Sequence, residues 1–453
     1  MADWVPSLPL SGGPRYRAIV EALEAAIRAG DVRPGARLLP HRDMAERLDL
    51  SVGTVSKAYA EAEQRGLIAG AIGRGTFVTE AATRGRESGA SPIDLALNVP
   101  PATGETALIA ATLAAILADD ALPELLGYLP HAGRRDHRAA LAAWLALQNA
   151  PVHPDQLFVT HGAQHGVAVA LSLVARAGDV VLAEDRTYSG LIALGEQAGY
   201  RLHGVAMDAG GLDPDALDRA FAETGAKVLY CMPTLQTPSA TTMSADRRRR
   251  VADVVRRHDA HVVEDDAYGF LLPDPPPPVS QLIPERAFYA VSLAKCLSAG
   301  LRVGALVAPE RFRDPCINAL RATGWMAVPL MAELVSRLIR GGDLARQAKL
   351  KRAQAETRNE VAAKVLGRWL APVATPGFHV WLPLPAGRPL TGFIAEAAQG
   401  GVKLALPAAL RPLSSLDIGV RLCLGAPPTA TSLEAGLQKL RAILETSEVF
   451  SVV

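Results

Sequence analysis

Apolar residues recur every three or four positions over 14–29, where Ile19, Leu23 and Ile27, with Ala22 and Ala26, share one side and Gly30 ends the run. That period predicts an amphipathic helix. A second helix is predicted over 41–48, and Ser51 stands as N-cap of a third whose apolar positions are Val55, Tyr59 and Ala62. Two short helices across a tight turn make a helix-turn-helix. Beyond them Gly66, Gly70, Gly73 and Gly75 divide the chain into two short strands, predicting a β-hairpin wing and a small α+β domain over 13–80.

Residues 81–92 are polar, glycine-bearing and without period, the pattern of an interdomain linker. From Ile93 onward short apolar runs alternate with helical ones. Strands are predicted at 157–160, 179–183, 201–206, 227–231, 261–265, 287–291 and 302–307. Helices are predicted at 136–148, 163–175, 189–198 and 244–258. This alternation predicts an α/β domain over 93–453 on a mainly parallel sheet covered on both faces. Helices at 330–340 and 344–366 and strands at 378–382 and 418–424 predict a smaller C-terminal α/β lobe from about 327.

A length of 453 residues implies two or three domains, and 49% hydrophobic content with net charge +1 describes a soluble globular chain. Nucleic-acid binding must then be argued locally, since residues 11–80 hold ten Lys/Arg against nine Asp/Glu. No signal peptide or membrane-length apolar run is seen, so a cytoplasmic protein is expected. Cys231, Cys296, Cys316 and Cys423 are too scattered for a disulfide framework or a zinc site, and no metal is expected.

The chemistry-bearing residues collect at predicted strand ends. Between the runs at 287–291 and 302–307 lie Ser292 and Lys295, with Arg302 beyond, so a hydroxyl and a guanidinium could hold a phosphate while the amine attacks a carbonyl. The strand pattern AHVVEDD, 260–266, ends in acid, and Tyr268 follows at the third position after Asp265. A lysine, an anion site and a carboxylate for a ring nitrogen are what pyridoxal phosphate needs. After Thr160, the segment HGAQHG opens a helix whose backbone amides at Gly162, Ala163 and Gln164 could take a phosphate. Tyr188 offers an aromatic face, Thr237 a donor beside Pro238, and Arg421 a planar fork for a carboxylate. In the small domain, Ser51, Gly53, Thr54, Ser56 and Lys57 stand at the start of the helix that would enter the major groove, and Arg42 and Arg74 could reach phosphates or the minor groove.

The stretch PGARLLPHRDMAERLDLSVGTVSKAYAEAEQRGLIAGAIGRGTFV closely resembles the winged helix of GntR-type bacterial regulators. It departs at Val52, where many relatives carry arginine, so operator sequence does not carry over. With Tyr188, Thr237, Asp265, Tyr268, Ser292, Lys295, Arg302 and Arg421 in order, residues 93–453 resemble a fold-type I aminotransferase. By that resemblance Lys295 forms the internal aldimine, Asp265 holds the pyridinium, Tyr268 and Thr237 meet the ring hydroxyl, and Tyr188 stacks on the ring. Ala163, Gln164, Ser292 and Arg302 take the phosphate, and Arg421 pairs with a ligand carboxylate. Where the family has Asn-Pro-Thr-Gly this chain has Thr237-Pro238-Ser239-Ala240, which puts the ring contacts and catalytic competence in doubt.

The two resemblances together are those of the MocR regulators, and span essentially the whole chain. They imply a pyridoxal-phosphate-dependent regulator of double-stranded operator DNA that senses a small amino compound by exchange with the lysine aldimine. They also imply a head-to-tail, domain-swapped homodimer in which Tyr128 reaches the neighbouring subunit's phosphate. A working aminotransferase carrying a DNA-binding appendage is the alternative, and steady-state transamination separates the two.

Overall fold

The computed structural model describes residues 4–6, 14–29, 31–32, 35–64, 67–71, 75–79, 92–385, 387–411 and 418–450. They divide into two compact units, Met1–Pro92 and Ile93–Val453. The linker expected at 81–92 lies, apart from Pro92, outside the described residues.

In the first unit helices Arg15–Ala29, His41–Leu48 and Val52–Gln64 precede an antiparallel hairpin of Ile68–Ala71 and Gly75–Val78. The predicted stripe residues Ile19, Leu23, Ile27, Val55, Tyr59 and Ala62 all enter one core with Met44, Leu38 and Leu39. Tyr59, mid-helix in that core, satisfies its hydroxyl by donating to the Leu39 carbonyl at 2.9 Å.

The second unit is built on a seven-stranded sheet. From one edge the order is Leu157–Thr160, Gly304–Val307, Ala287–Ser292, His261–Asp266, Val228–Cys231, Val180–Glu184 and Arg201–Val205. Only Gly304–Val307 runs against its neighbours. It follows Ala287–Ser292 after a short connection that holds no crossover helix, so it returns antiparallel. Most central strand positions are buried, as expected of a sheet covered on both faces. One face packs against Ala163–Val174 and its neighbours, and the other against Pro214–Thr224 and Ala245–Arg257.

The smaller lobe has its own core of Phe393, Leu382, Leu422 and Leu437, together with Leu95 from the start of the unit. The boundary expected near 327 does not follow this packing. Helix Pro329–Arg340 and the front of Asp343–Leu366 place Leu334, Leu338, Leu344 and Ala348 in the large core, and Val361, Ala362, Val365 and Leu366 at the rear join the small one. Helices Glu105–Leu117, Pro214–Thr224, Arg313–Gly324, Leu390–Gln399 and Ala430–Phe450 add to those read from the sequence. Among the described residues no helix is long and apolar enough to cross a membrane.

A sheet buried on both faces concentrates its carboxyl groups at strand ends. Glu184, fully buried at the end of Val180–Glu184, accepts from the Met232 amide at 2.8 Å, and burial pushes its carboxyl up to about 8. Asp265 and Asp185 add to the rise. The folded value is above the unfolded 4.5, so this contribution to stability is full below pH 4.5 and is lost as pH rises through about 8. Glu184→Gln keeps the acceptor and removes the titration. Urea unfolding at pH 5 and pH 8 should show wild type losing about 2–4 kcal/mol more than the variant over that interval. Parallel curves would place the proton elsewhere.

Candidate functional site

Fourteen residues from six parts of the second unit, with Asn98 as a fifteenth, line one cavity of about 200 Å³ at the C-terminal ends of the parallel strands. They include Ala163, Gln164, Tyr188, Thr237, Asp265, Tyr268, Ser292, Lys295, Arg302 and Arg421. Of the sequence-derived site residues of this unit all but Gly162 and Tyr128 line this cavity, and Gly162 adjoins it beside Arg302. That tyrosine is 85% exposed and packs on Trp325, with ring centroids 5.9 Å apart.

Lys295 lies in the turn after strand Ala287–Ser292. Burial draws its amine down from the usual lysine value to about 8. In this structure the amine donates to the Asn98 carbonyl. Asp265 lies one strand over, aligned with Ala290. Burial raises its carboxyl to about 7. The Tyr230 hydroxyl donates to its Oδ2 at 2.9 Å, opposing that rise, and Oδ1 is buried without a partner.

At the anion end, Gly162 at φ +81° turns strand Leu157–Thr160 into helix Ala163–Val174. A Cβ there would stand 3.0 Å from an Arg302 nitrogen, so glycine gives the guanidinium its place. Arg302 donates to the His161 carbonyl at 3.0 Å and itself holds a left-handed backbone at φ +51°. The Ser292 hydroxyl caps the turn toward Lys295 by accepting from the Ala294 amide at 3.2 Å.

On the opposite wall Tyr268 is buried beside the Thr237 hydroxyl, and burial raises its phenol well above the usual value. Arg421 extends from strand Gly419–Cys423, half-buried, and donates to the Ala96 carbonyl at 3.1 Å.

Sequence reasoning missed four participants. Asn98 lines the cavity and donates from Nδ2 to the Tyr268 hydroxyl at 2.8 Å. Tyr230 orients Asp265, His379 packs on Tyr268 at 5.5 Å, and Met232 lines the wall. The strand-end position of Met232 and the proximity of Tyr230 to the strand end were available signals, whereas Asn98 and His379 come from distant chain segments. His379 is buried and held at about 3, and is therefore neutral near pH 7. Asp136, His137 and Glu333 also converge, among the described residues. Arg134, Arg337 and Arg340 pair with their carboxylates, which makes the group an ion-pair net.

In the first unit, Ser51 caps the third helix by accepting from the Thr54 amide at 3.2 Å, and Ser51, Val52, Gly53 and Lys57 are exposed along its start. Thr54 and Ser56 are half-exposed, and the Ser56 hydroxyl is shared with His41 at 3.0 Å. The Lys57 ammonium sits over the Tyr16 ring at 4.3 Å, while Arg42 is exposed. Arg74 lies outside the described residues.

Comparison with known proteins agrees with both units. The chain is 28% identical over 463 residues to the uncharacterized HTH-type transcriptional regulator YdeF of Bacillus subtilis, covering 98% of this chain and 97% of that protein. It is 25% identical over 301 residues to the mitochondrial kynurenine/alpha-aminoadipate aminotransferase of Bos taurus, covering 61% of this chain and 69% of that one. Among solved structures, an archaeal alanine:glyoxylate aminotransferase superposes with a TM-score of 0.72 at 22% identity, covering 81% of this chain and 94% of the other. The alpha-aminoadipate aminotransferase LysN of Thermus thermophilus gives 0.71 at 24%, covering 81% and 95%. The family model for aminotransferase class I and II matches residues 90–373, and that for bacterial regulatory proteins of the gntR family matches 15–78. The chain belongs to the class I and II aminotransferase family and carries at its N-terminus a gntR-type helix-turn-helix domain, the architecture of the MocR-type regulators.

Proposed function

We propose that this protein is a transcription regulator that binds double-stranded DNA through its winged helix. Its second unit binds pyridoxal 5'-phosphate and senses an amino compound that competes with Lys295 for the cofactor. The observation that carries the reading is the single cavity holding Lys295, Asp265, Arg302 and Arg421 in a chain that also has a gntR-type domain.

The residues present fit the cofactor. Asp265 keeps one buried oxygen without a partner, and a protonated ring nitrogen supplies the donor it lacks. The amides at the start of helix Ala163–Val174, with Ser292 and Arg302, form a donor set suited to a phosphate. Tyr268 and Thr237 offer hydroxyls for a ring oxygen, and Tyr188 an aromatic face. When bound, the cofactor supplies an electrophilic carbon for which Lys295 and free amines compete. The lowered Lys295 amine is neutral in a useful fraction near neutral pH, as a nucleophile must be.

The regulator is a homodimer in this reading. Leu117, Leu126, Tyr128, Trp325 and Val328 leave large apolar side chains exposed on elements that pack near one another. Tyr128, exposed and not lining its own cavity, then completes the partner's phosphate site. A working aminotransferase is the second reading, favoured by the full complement of lysine, aspartate and arginine in one cavity. Rapid steady-state turnover of amino donors would establish it.

DNA binding is tested at Arg42, which is exposed, whereas Lys57 must leave the Tyr16 ring to reach a phosphate. Arg42→Ala should weaken binding on all duplexes and lower the salt slope by about one counterion. An unchanged slope in a salt titration removes Arg42 from the interface. Ligand sensing is tested at Arg421, whose Arg421→Ala variant should lose about 2–4 kcal/mol of affinity for a carboxylate-bearing amine. The titration follows cofactor absorption, with Lys295→Ala as the control that lacks the lysine-dependent band. Equal affinity in wild type and Arg421→Ala would show that the effector carries no carboxylate bound there.

A further inference from the structure

The segment 93–101 opens the second unit and runs to the cavity, where it meets Arg421, Tyr268 and Lys295. Ile93–Asp94 pairs in parallel with Val402–Lys403 of the small lobe. The Ala96 carbonyl accepts from Arg421 at 3.1 Å and from the Cys423 thiol at 3.2 Å. Asn98 then meets two walls at once, its Nδ2 donating to the Tyr268 hydroxyl at 2.8 Å and its carbonyl accepting from the Lys295 amine. Its side-chain oxygen, Oδ1, is buried without a partner, a deficit that a donor from the cavity's occupant would remove. Past it the segment is anchored: the buried Lys351 donates to the Pro101 carbonyl and, at 3.0 Å, to Glu105. Asn98 lies one short stretch from Pro92, where the first unit gives way to the second along the chain.

The contact between Lys295 and Asn98 depends on the state of the lysine. An amine has N–H groups to donate and freedom to reach the carbonyl. A lysine nitrogen bonded to the cofactor is held by that bond and has no more than one proton to give. We propose that Asn98 is a positioning residue that registers whether Lys295 is bonded to the cofactor. The released amine docks on the Asn98 main-chain carbonyl while the Asn98 amide holds Tyr268, and in that state alone the lysine adds its bond to the segment's other anchors. The inference rests on the assignment of Lys295 as the cofactor lysine and adds the element by which its release is transmitted toward the linker.

The test is amide hydrogen exchange over 95–99 in the full-length, cofactor-loaded protein, with and without methoxyamine. This probe takes the cofactor's carbonyl carbon and frees Lys295, and cofactor absorption is recorded in parallel. In wild type the absorption should change and exchange over 95–99 should slow about fivefold, the protection expected from one net hydrogen bond. In Asn98→Ala, which keeps the main-chain carbonyl but removes the Tyr268 bond that positions it, the absorption should change while the slowing is reduced rather than abolished. In Lys295→Ala loaded with the cofactor, methoxyamine should leave exchange unaltered. An Asn98 that only packs would alter exchange equally with and without methoxyamine. Wild type whose absorption changes without slowing, or slowing that persists in Lys295→Ala, overturns this inference alone. Absorption that does not respond in wild type overturns the assignment of Lys295, and this inference with it.

Discussion

The structure of the second unit depends on one constraint, the burial of a mainly parallel sheet on both faces. Strands such as Val228–Cys231 and His261–Asp266 have almost no solvent-facing side, so their side chains must be apolar or paired. Ionisable groups then collect where strands end and irregular backbone can meet them. Glu184, Glu264, Asp265 and Asp266 all occupy the last positions of their strands, and each has a backbone or tyrosine donor. The same ends receive the turn carrying Lys295 and the helix beginning at Ala163. The site is therefore the place that the core leaves for charge.

Helix Asp343–Leu366 solves the other problem, that of joining two apolar cores. Its front packs in the large core and its rear in the small one, and along it Gln347, Lys351 and Arg358 are buried polar side chains. Lys351 reaches Pro101 and Glu105, and Arg358 donates to the Leu424 and Pro427 carbonyls at 2.7 and 2.9 Å. Burying such groups is unfavourable unless each finds partners. Here the partners are the Pro101, Leu424 and Pro427 carbonyls, the Glu105 carboxylate and, for Gln347, the Thr103 hydroxyl. The groups that desolvate at a cost also fix the segments bearing Asn98 and Arg421 beside the cavity.

Much of this was legible in the sequence, for a physical reason. Apolar runs of strand length ending in acid or small polar residues mark where a buried strand stops, and Lys295, Asp265 and Thr237 belong to such ends or the turns after them, while Arg421 is a charge set within an apolar strand. Helix Glu105–Leu117 was missed because it is apolar nearly all round and shows no stripe. The lobe boundary was misplaced because the change of partner core happens within one unbroken helix, whose apolar period does not record what it packs on. Asn98 and His379 were invisible for a related reason. Each is polar in an unremarkable local setting, and its role comes from a contact with a residue more than a hundred positions away, at Tyr268.

The winged helix and the cavity can influence one another only through a free-energy difference between ligand states. In the cavity that difference has identifiable sources. The Lys295 amine is held below its solution value, Asp265 above its own, and Asp265 Oδ1 and Asn98 Oδ1 are buried without partners. Each is a cost that an occupant of suitable charge and donors removes, so binding energy is released at these atoms. Two of the groups, Asn98 Oδ1 and the Lys295 amine resting on the Asn98 carbonyl, belong to or touch segment 93–101. The Tyr268 and Arg421 contacts fall on the same segment. Part of the energy that an occupant can release thus falls on the stretch that begins the second unit after Pro92.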